Sequence, residues 1–185
     1  MAEQGSLADQ LTQLGYFGLV QQEDDAQVHA LSRDRQGLTA LVDDPRAEPL
    51  ARFLAAELLY AQDDHFPTRQ DVPEVAQVYA TALKENFTES ANTWGLPGMS
   101  QGLVAEHVVS MGPAIAPAFA PLLDDDTRVH YEGSEEATIG NIYAFRVKDV
   151  AAALIAAVTG RRFELERDPT KRDATIASLV QAAGT

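Results

Sequence analysis

The chain has 185 residues, a formal net charge of -14, and 45% hydrophobic and 23% charged residues. That length and balance fit one soluble helical domain spanning residues 1–185, with enough chain to bury a core unaided. The lack of cysteine excludes a disulfide framework, thiolate metal sites and a cysteine nucleophile, while the acidic balance disfavours nucleic-acid and anionic-membrane partners.

Met1–Gly5 lacks the basic start and apolar core of a signal peptide, so a cytoplasmic location is expected. Residues 6–15 read as a short helix, capped by Ser6 and carrying Leu7, Leu11 and Leu14 on one face. Gly15-Tyr16-Phe17-Gly18 breaks it and packs aromatics inward. Asp24 or Asp25 caps a second helix with Val28 and Leu31, and Gly37 opens the next. Asp44-Pro45 reads as an acidic cap followed by a first-turn proline, starting a helix that runs to Ala61. Its apolar stripe of Leu50, Phe53, Leu54 and Leu58 is widened by Leu59 and Tyr60, so burial over much of its circumference is expected. Asp71 and Pro73 start another helix, with Val75, Val78, Tyr79, Ala82 and Leu83 inward.

Trp94-Gly95-Leu96-Pro97-Gly98 reads as a tight corner anchored by tryptophan. A helix over 99–111 follows, with Met99, Leu103, Val104, Val108 and Met111 on one face. The apolar run from Met111 to Leu123 is too short to span a bilayer and holds Pro113, Pro117 and Pro121. Ile115, Ala118, Phe119, Leu122 and Leu123 form its stripe. Between 128 and 143, Val129 and Tyr131 followed by Ile139, Ile142 and Tyr143 fit a short β-hairpin turning around Gly133–Glu136, or equally a loop. Val147, Val150, Ala151, Leu154, Ile155 and Val158 give the cleanest amphipathic helix, with Gly160 as its C-cap. Phe163-Glu164-Leu165 is extended, and Asp168-Pro169 starts a last helix with Ile176, Leu179, Val180 and Ala183 inward. Arg161, Arg162, Arg167, Lys171 and Arg172 form a local basic cluster.

One pattern occurs twice. Leu38–Asp44 is a leucine-rich turn ending in an acidic doublet, followed by Arg52 and a helix with Ala55-Ala56; Phe119–Asp125 repeats the turn and doublet, followed by Lys148 and Ala151-Ala152. The pattern resembles HEAT-type helical repeats and covers roughly a third of the chain. The resemblance implies an all-α fold, an irregular array of antiparallel helix pairs. It also implies that Asp43 or Asp44 pairs with Arg52, and Asp124 or Asp125 with Lys148. The second copy carries a longer segment between its doublet and its basic residue.

Two kinds of site come from the residues. His107 lies in the stripe of Leu103, Val104, Val108 and Met111, and Glu57 borders the apolar face of its helix. A histidine and a carboxylate on facing helices suit a metal-dependent or acid–base hydrolase; a buried pair that satisfies itself is the plainer reading. Asp63-Asp64-His65 and Asp124-Asp125-Asp126 resemble metal ligands in type only, because neither has EF-hand spacing and both sit at helix ends. The polar segment between the second doublet and Lys148 is the more function-like stretch. It gathers Tyr131, Glu132, Ser134, Glu135, Glu136 and Asn141, with the tyrosine read as an exposed anchor among carboxylates. No nucleophile elbow, P-loop or dinucleotide motif occurs. The sequence therefore predicts a non-catalytic protein without a cofactor. It would bind a basic protein partner, as an inhibitor or immunity-type protein does.

Overall fold

The computed structural model describes residues 5–21, 26–63, 65–133 and 135–183. The protein is all-α: every regular element among the described residues is helical, and the β pairing there is a single antiparallel bridge between Arg128 and Arg146. The chain divides into two compact units, residues 1–88 and 89–185, where the sequence predicts one domain.

The first unit is built from α1 (Leu7–Gln21), α2 (Ala26–Ser32), α3 (Arg35–Asp43), α4 (Pro49–Tyr60) and α5 (Val72–Lys84). Helix α4 lies at its centre, packed by α1, α3 and α5. All residues from Phe53 to Leu59 are buried, as the wide apolar stripe predicts. In α1, Ser6 and Asp9 cap each other: the Asp9 amide donates to Ser6 Oγ (3.2 Å) and the Ser6 amide to Asp9 Oδ2 (2.9 Å). At Gly15 (φ 66, ψ 175) the backbone leaves helical geometry, so α1 is two helical pieces joined at a kink, the break the sequence predicts. The bend turns Tyr16 into the core, where its ring stacks on Phe53 with centroids 5.6 Å apart. Val28 and Leu31 of α2 are buried; the expected caps Asp24 and Asp25 lie outside the described residues.

The helix expected from Pro45 begins four residues later. Asp44 accepts from the Arg46 amide (2.9 Å), which closes a turn, and its backbone is extended (φ -86, ψ 105). Glu48 is the cap instead, accepting from the Ala51 amide at 2.8 Å with Pro49 in the first turn. Two acid–proline signals stand close together here, and the shorter aspartate closes a turn where the glutamate caps a helix. Helix α3 likewise starts before Gly37, because Asp34 accepts from the Gly37 amide at 2.9 Å.

The second unit contains α6 (Leu103–Ser110), a stretch 112–124 that includes α7 (Ala116–Phe119) between two 3-10 turns, α8 (Glu135–Tyr143), α9 (Val147–Val158) and α10 (Pro169–Ala183). Helix α9 is central; α6, α10 and the 112–124 stretch pack against it. Its predicted stripe is buried at Val147, Val150, Ala151, Leu154 and Ile155. Gly160 (φ 66) closes it, with the Arg161 amide on the Ala156 carbonyl (2.8 Å) and the Gly160 amide on Ala157 (3.4 Å). Pro113, Pro117 and Pro121 recur every fourth residue on the exposed side of the 112–124 stretch, while Ile115, Phe119 and Leu123 are buried. Each proline removes an amide donor, so the coil tightens into 3-10 geometry on either side of α7.

Two expectations are corrected in this unit. Met99 (52% exposed) and Leu103 (51%) lie outside the core, and α6 starts only at Leu103. The Met99 and Ser100 amides turn back onto the Leu96 carbonyl (2.9 and 3.0 Å), which leaves no room for an earlier helical start. Among the described residues segment 128–143 forms no hairpin: its pairing is the bridge at Arg128, and residues 135–143 coil into α8. Ile139, Ile142 and Tyr143 have helical spacing, and Gly140 lets α8 sit on Tyr131, since a Cβ there would lie 2.5 Å from Tyr131 Cδ2. No single helix among the described residues is long and apolar enough to cross a membrane, and the apolar pair 103–110 and 112–124 is bent by 106°.

Candidate functional site

The residues around α8 divide into a buried support and an exposed face. Tyr131 is 5% exposed, so it is not the exposed anchor the sequence suggests. Its hydroxyl donates to the Gly95 carbonyl (2.9 Å), and its ring meets Phe145 edge-on, centroids 6.1 Å apart. Burial first, and then the charge of Asp149, push its pKa above the ordinary tyrosine value. The adjacent backbone is clamped by Asn92, whose Oδ1 accepts from the Glu132 amide and whose Nδ2 donates to the Glu132 carbonyl, both at 2.9 Å. On this base Glu132, Glu135, Glu136 and Asn141 are exposed. Ser134 lies outside the described residues. Ile142, expected in a hairpin strand or equally in a loop, is 45% exposed on the same helix. Glu135 and Glu136 occupy the first turn of α8, where the helix dipole favours negative charge.

His107 and Glu57 do not fall into one unit: Glu57 belongs to the first and His107 to the second. Glu57, 4% exposed, accepts from the Tyr79 hydroxyl inside the first unit. Burial, followed by the Glu57 charge, raises the Tyr79 pKa well above the ordinary value. The Tyr16 hydroxyl is buried nearby and has no hydrogen-bond partner among the described residues; burial and then Glu57 raise its pKa also. His107 is half-buried on α6. Among the described residues no three His, Asp or Glu side chains are grouped to hold a metal ion. Asp63 pairs with Arg35 and accepts from the His65 amide at 2.9 Å, so this acidic run ties a helix end; Asp64 lies outside the described residues.

The basic residues of the repeated pattern tie their turns through other partners than expected. Arg52 donates from Nε (3.0 Å) and Nη2 (2.7 Å) to the Val42 carbonyl at the end of α3 and pairs with Glu74 at 2.5 Å, not with Asp43 or Asp44. Lys148 pairs with Asp126 (2.7 Å) and Asp173 (3.0 Å), while Asp125 supplies only its carbonyl to the Lys148 amide (3.0 Å) and Asp124 is exposed. A backbone carbonyl at a helix end already carries partial negative charge and stays fixed, so it replaces the flexible carboxylate as the acceptor.

The sequence reading missed a buried ionic network around Lys148. Asp149, fully buried, accepts from the Arg146 amide (2.9 Å), from Arg146 Nε and Nη2 (both 3.0 Å) and from Arg172 Nε (3.0 Å). Arg172, also fully buried, donates to the carbonyls of Glu166 (2.8 Å), Arg167 (3.2 Å) and Tyr143 (2.9 Å), and lies over the Phe145 ring, 5.4 Å from its centroid. Arg146 reaches Asp126 (3.0 Å) and Asp173 (2.8 Å) at the rim. Burial opposes the charge of Arg146, but its bonds to Asp149 and Asp173 more than offset this and raise its pKa. Arg146, Lys148 and Arg172 thereby balance Asp126, Asp149 and Asp173. Arg172 is thus no part of a surface basic cluster. The signal was present: Arg172, Ile176 and Leu179 share one inward helical face.

Arg161 and Arg162 lie elsewhere. They leave the C-terminal turn of α9 and line a cleft of ≈ 490 Å³ together with Trp94, Glu106, Ala153 and Leu154. No protein-family model, curated protein or solved structure matches the chain.

Proposed function

We propose that the chain is a non-catalytic, cytoplasmic, HEAT-like helical protein that binds a basic protein partner through the exposed face of α8. An inhibitor or immunity-type protein covering a basic enzyme is the specific form of this reading. The observation that carries it is the composition of that face. Glu132, Glu135 and Glu136 are exposed and make no ion pair among the described residues, and Ile142 stands exposed beside them. Unpaired carboxylates steer a basic partner and speed its association, and a half-exposed isoleucine on a rigid helix gives the contact an apolar centre. Ile142 takes the anchoring role the sequence reading gave to Tyr131; Tyr131 supports α8 from below. The small residues Ala55-Ala56 and Ala151-Ala152 support the HEAT-like description, as do the basic residues Arg52 and Lys148 that tie the turns.

The test compares two baits. The parent and an Ile142→Asp/Glu135→Lys variant are immobilised and exposed to extract of the source cell at low and high salt. A basic protein retained by the parent at low salt, released at high salt and absent from the variant supports the reading. Identical proteins on both baits refute α8 as the face.

A further inference from the structure

We infer that the cleft of the second unit binds a small amphipathic anion, a carboxylate or equivalent head on an apolar body, independently of the α8 face. The cleft measures ≈ 490 Å³, inside the roughly 300–1,000 Å³ range of small-molecule sites. Its floor is the small-residue side of α9, Ala153 and Ala157, backed by a wall that holds the largely buried Trp94. The wall is rigid: a Cβ on Gly95 would lie 2.3 Å from the Ser100 carbonyl oxygen and one on Gly102 2.3 Å from that of Thr93, so the 95–102 loop closes on itself. The floor and wall give an apolar body a preformed surface.

Charge decides what the body carries. In a chain of net charge -14, this cleft is lined by two adjacent arginines, Arg161 and Arg162. The left-handed turn at Gly160 (φ 66) sends the chain off the end of α9 and places them there. Arg161 is held by a bond from Nη1 to the Leu179 carbonyl (3.3 Å). Arg162 is exposed and makes no ion pair or side-chain hydrogen bond among the described residues. The other cations near α9 are engaged: Arg146, Lys148 and Arg172 with carboxylates, as described above. Glu106, on α6, also lines the cleft; it is exposed and forms no salt bridge with either arginine. An anionic head therefore lies toward the arginines with its apolar body on Ala153 and Ala157, beside the edge of Trp94, and the Glu106 carboxylate works against it.

Trp94 is the only tryptophan, so its fluorescence reports the cleft directly. The full chain is titrated with octanoate, and in parallel with octanol and octyltrimethylammonium, while far-UV circular dichroism checks the fold. Octanoate is expected to shift the Trp94 emission saturably, with octanol and the ammonium at least about tenfold weaker, the worth of one charge-assisted contact. Arg162→Glu weakens octanoate by about tenfold or more on the same basis, and Glu106→Gln tightens it. Ala153→Leu, which fills the floor from a helical position that accepts leucine, removes the shift. A saturable response equal for the anion and the ammonium overturns the inference, as does unchanged octanoate binding in Arg162→Glu or in a folded Ala153→Leu. No saturable shift with octanoate overturns it outright.

Discussion

Asp149→Ala is expected to destabilise the second unit by about 4 kcal/mol, because removing one partner of a buried ion pair costs about 3–5 kcal/mol. Asp149 is fully buried and accepts four bonds, three from Arg146 and one from Arg172. Without it, Arg146 still reaches Asp126 and Asp173 at the rim. Arg172 keeps its carbonyl partners and the Phe145 ring but loses the carboxylate that balances its charge, at a fully buried position. The bond from the Arg146 amide, which helps start α9, is lost as well, and its loss is included in that figure. The same truncation at Asp173, whose side chain is 44% exposed, is expected to cost no more than about 1 kcal/mol, as rim pairs do. Urea unfolding followed by Trp94 emission reads this unit specifically. In a cycle with Arg172→Met, the two changes should couple by at least about 1 kcal/mol, as contacting charged residues do. Equal losses for Asp149→Ala and Asp173→Ala, or additive losses in the cycle, would show that the buried carboxylate does not hold the two arginines.

The capping acids give a second contrast: Glu48→Ala is expected to cost about 1 kcal/mol in urea unfolding and Asp44→Ala only a few tenths, because Glu48 caps α4 while Asp44 closes a turn. A larger loss for Asp44 would restore Pro45 as the helix start. The rim carboxylates set an acid limit. Hydrogen bonding from Lys148 lowers the pKa of Asp126, and although burial opposes it, bonding from Arg146 and Lys148 lowers that of Asp173. Groups lowered on folding stabilise the folded state above the unfolded value and lose that contribution as pH falls through the folded one. Stability should therefore be flat through neutral pH and fall below about pH 4, the ordinary carboxylate value. An Asp126→Asn/Asp173→Asn variant should show a shallower fall, and identical acid profiles by circular dichroism would refute the assignment.

How much of this was legible in the sequence depended on whether side chains alone decide the outcome. Periodicity found α4, α5 and α9 and most of their buried residues, because long apolar stripes leave one way to bury themselves. It failed at α8, where residues 128–143 read equally as a hairpin or a loop and the helix over 135–143 was not expected. The Gly140–Tyr131 packing that settles the matter is a tertiary contact. The repeated acidic doublets pointed correctly to turns tied by a basic residue, yet Arg52 chose the Val42 carbonyl, and a carbonyl has no residue type by which sequence can distinguish it. Arg172 was read by its charge rather than by its place on the inward face of α10, and its partner lies 23 residues away in the chain. At the candidate site the exposed carboxylates were legible from composition, whereas the burial of Tyr131 and the exposure of Ile142 depend on α8 being a helix.

The row of prolines on the 112–124 stretch bears on how the second unit comes together. With three of its amide donors missing, this stretch has little tendency to coil by itself, and its shape is supplied by the neighbour that covers Ile115, Phe119 and Leu123. Helix α9 therefore acts as the template on which it is moulded. Loosening α9 is expected to release the proline stretch with it, as one cooperative block within that unit.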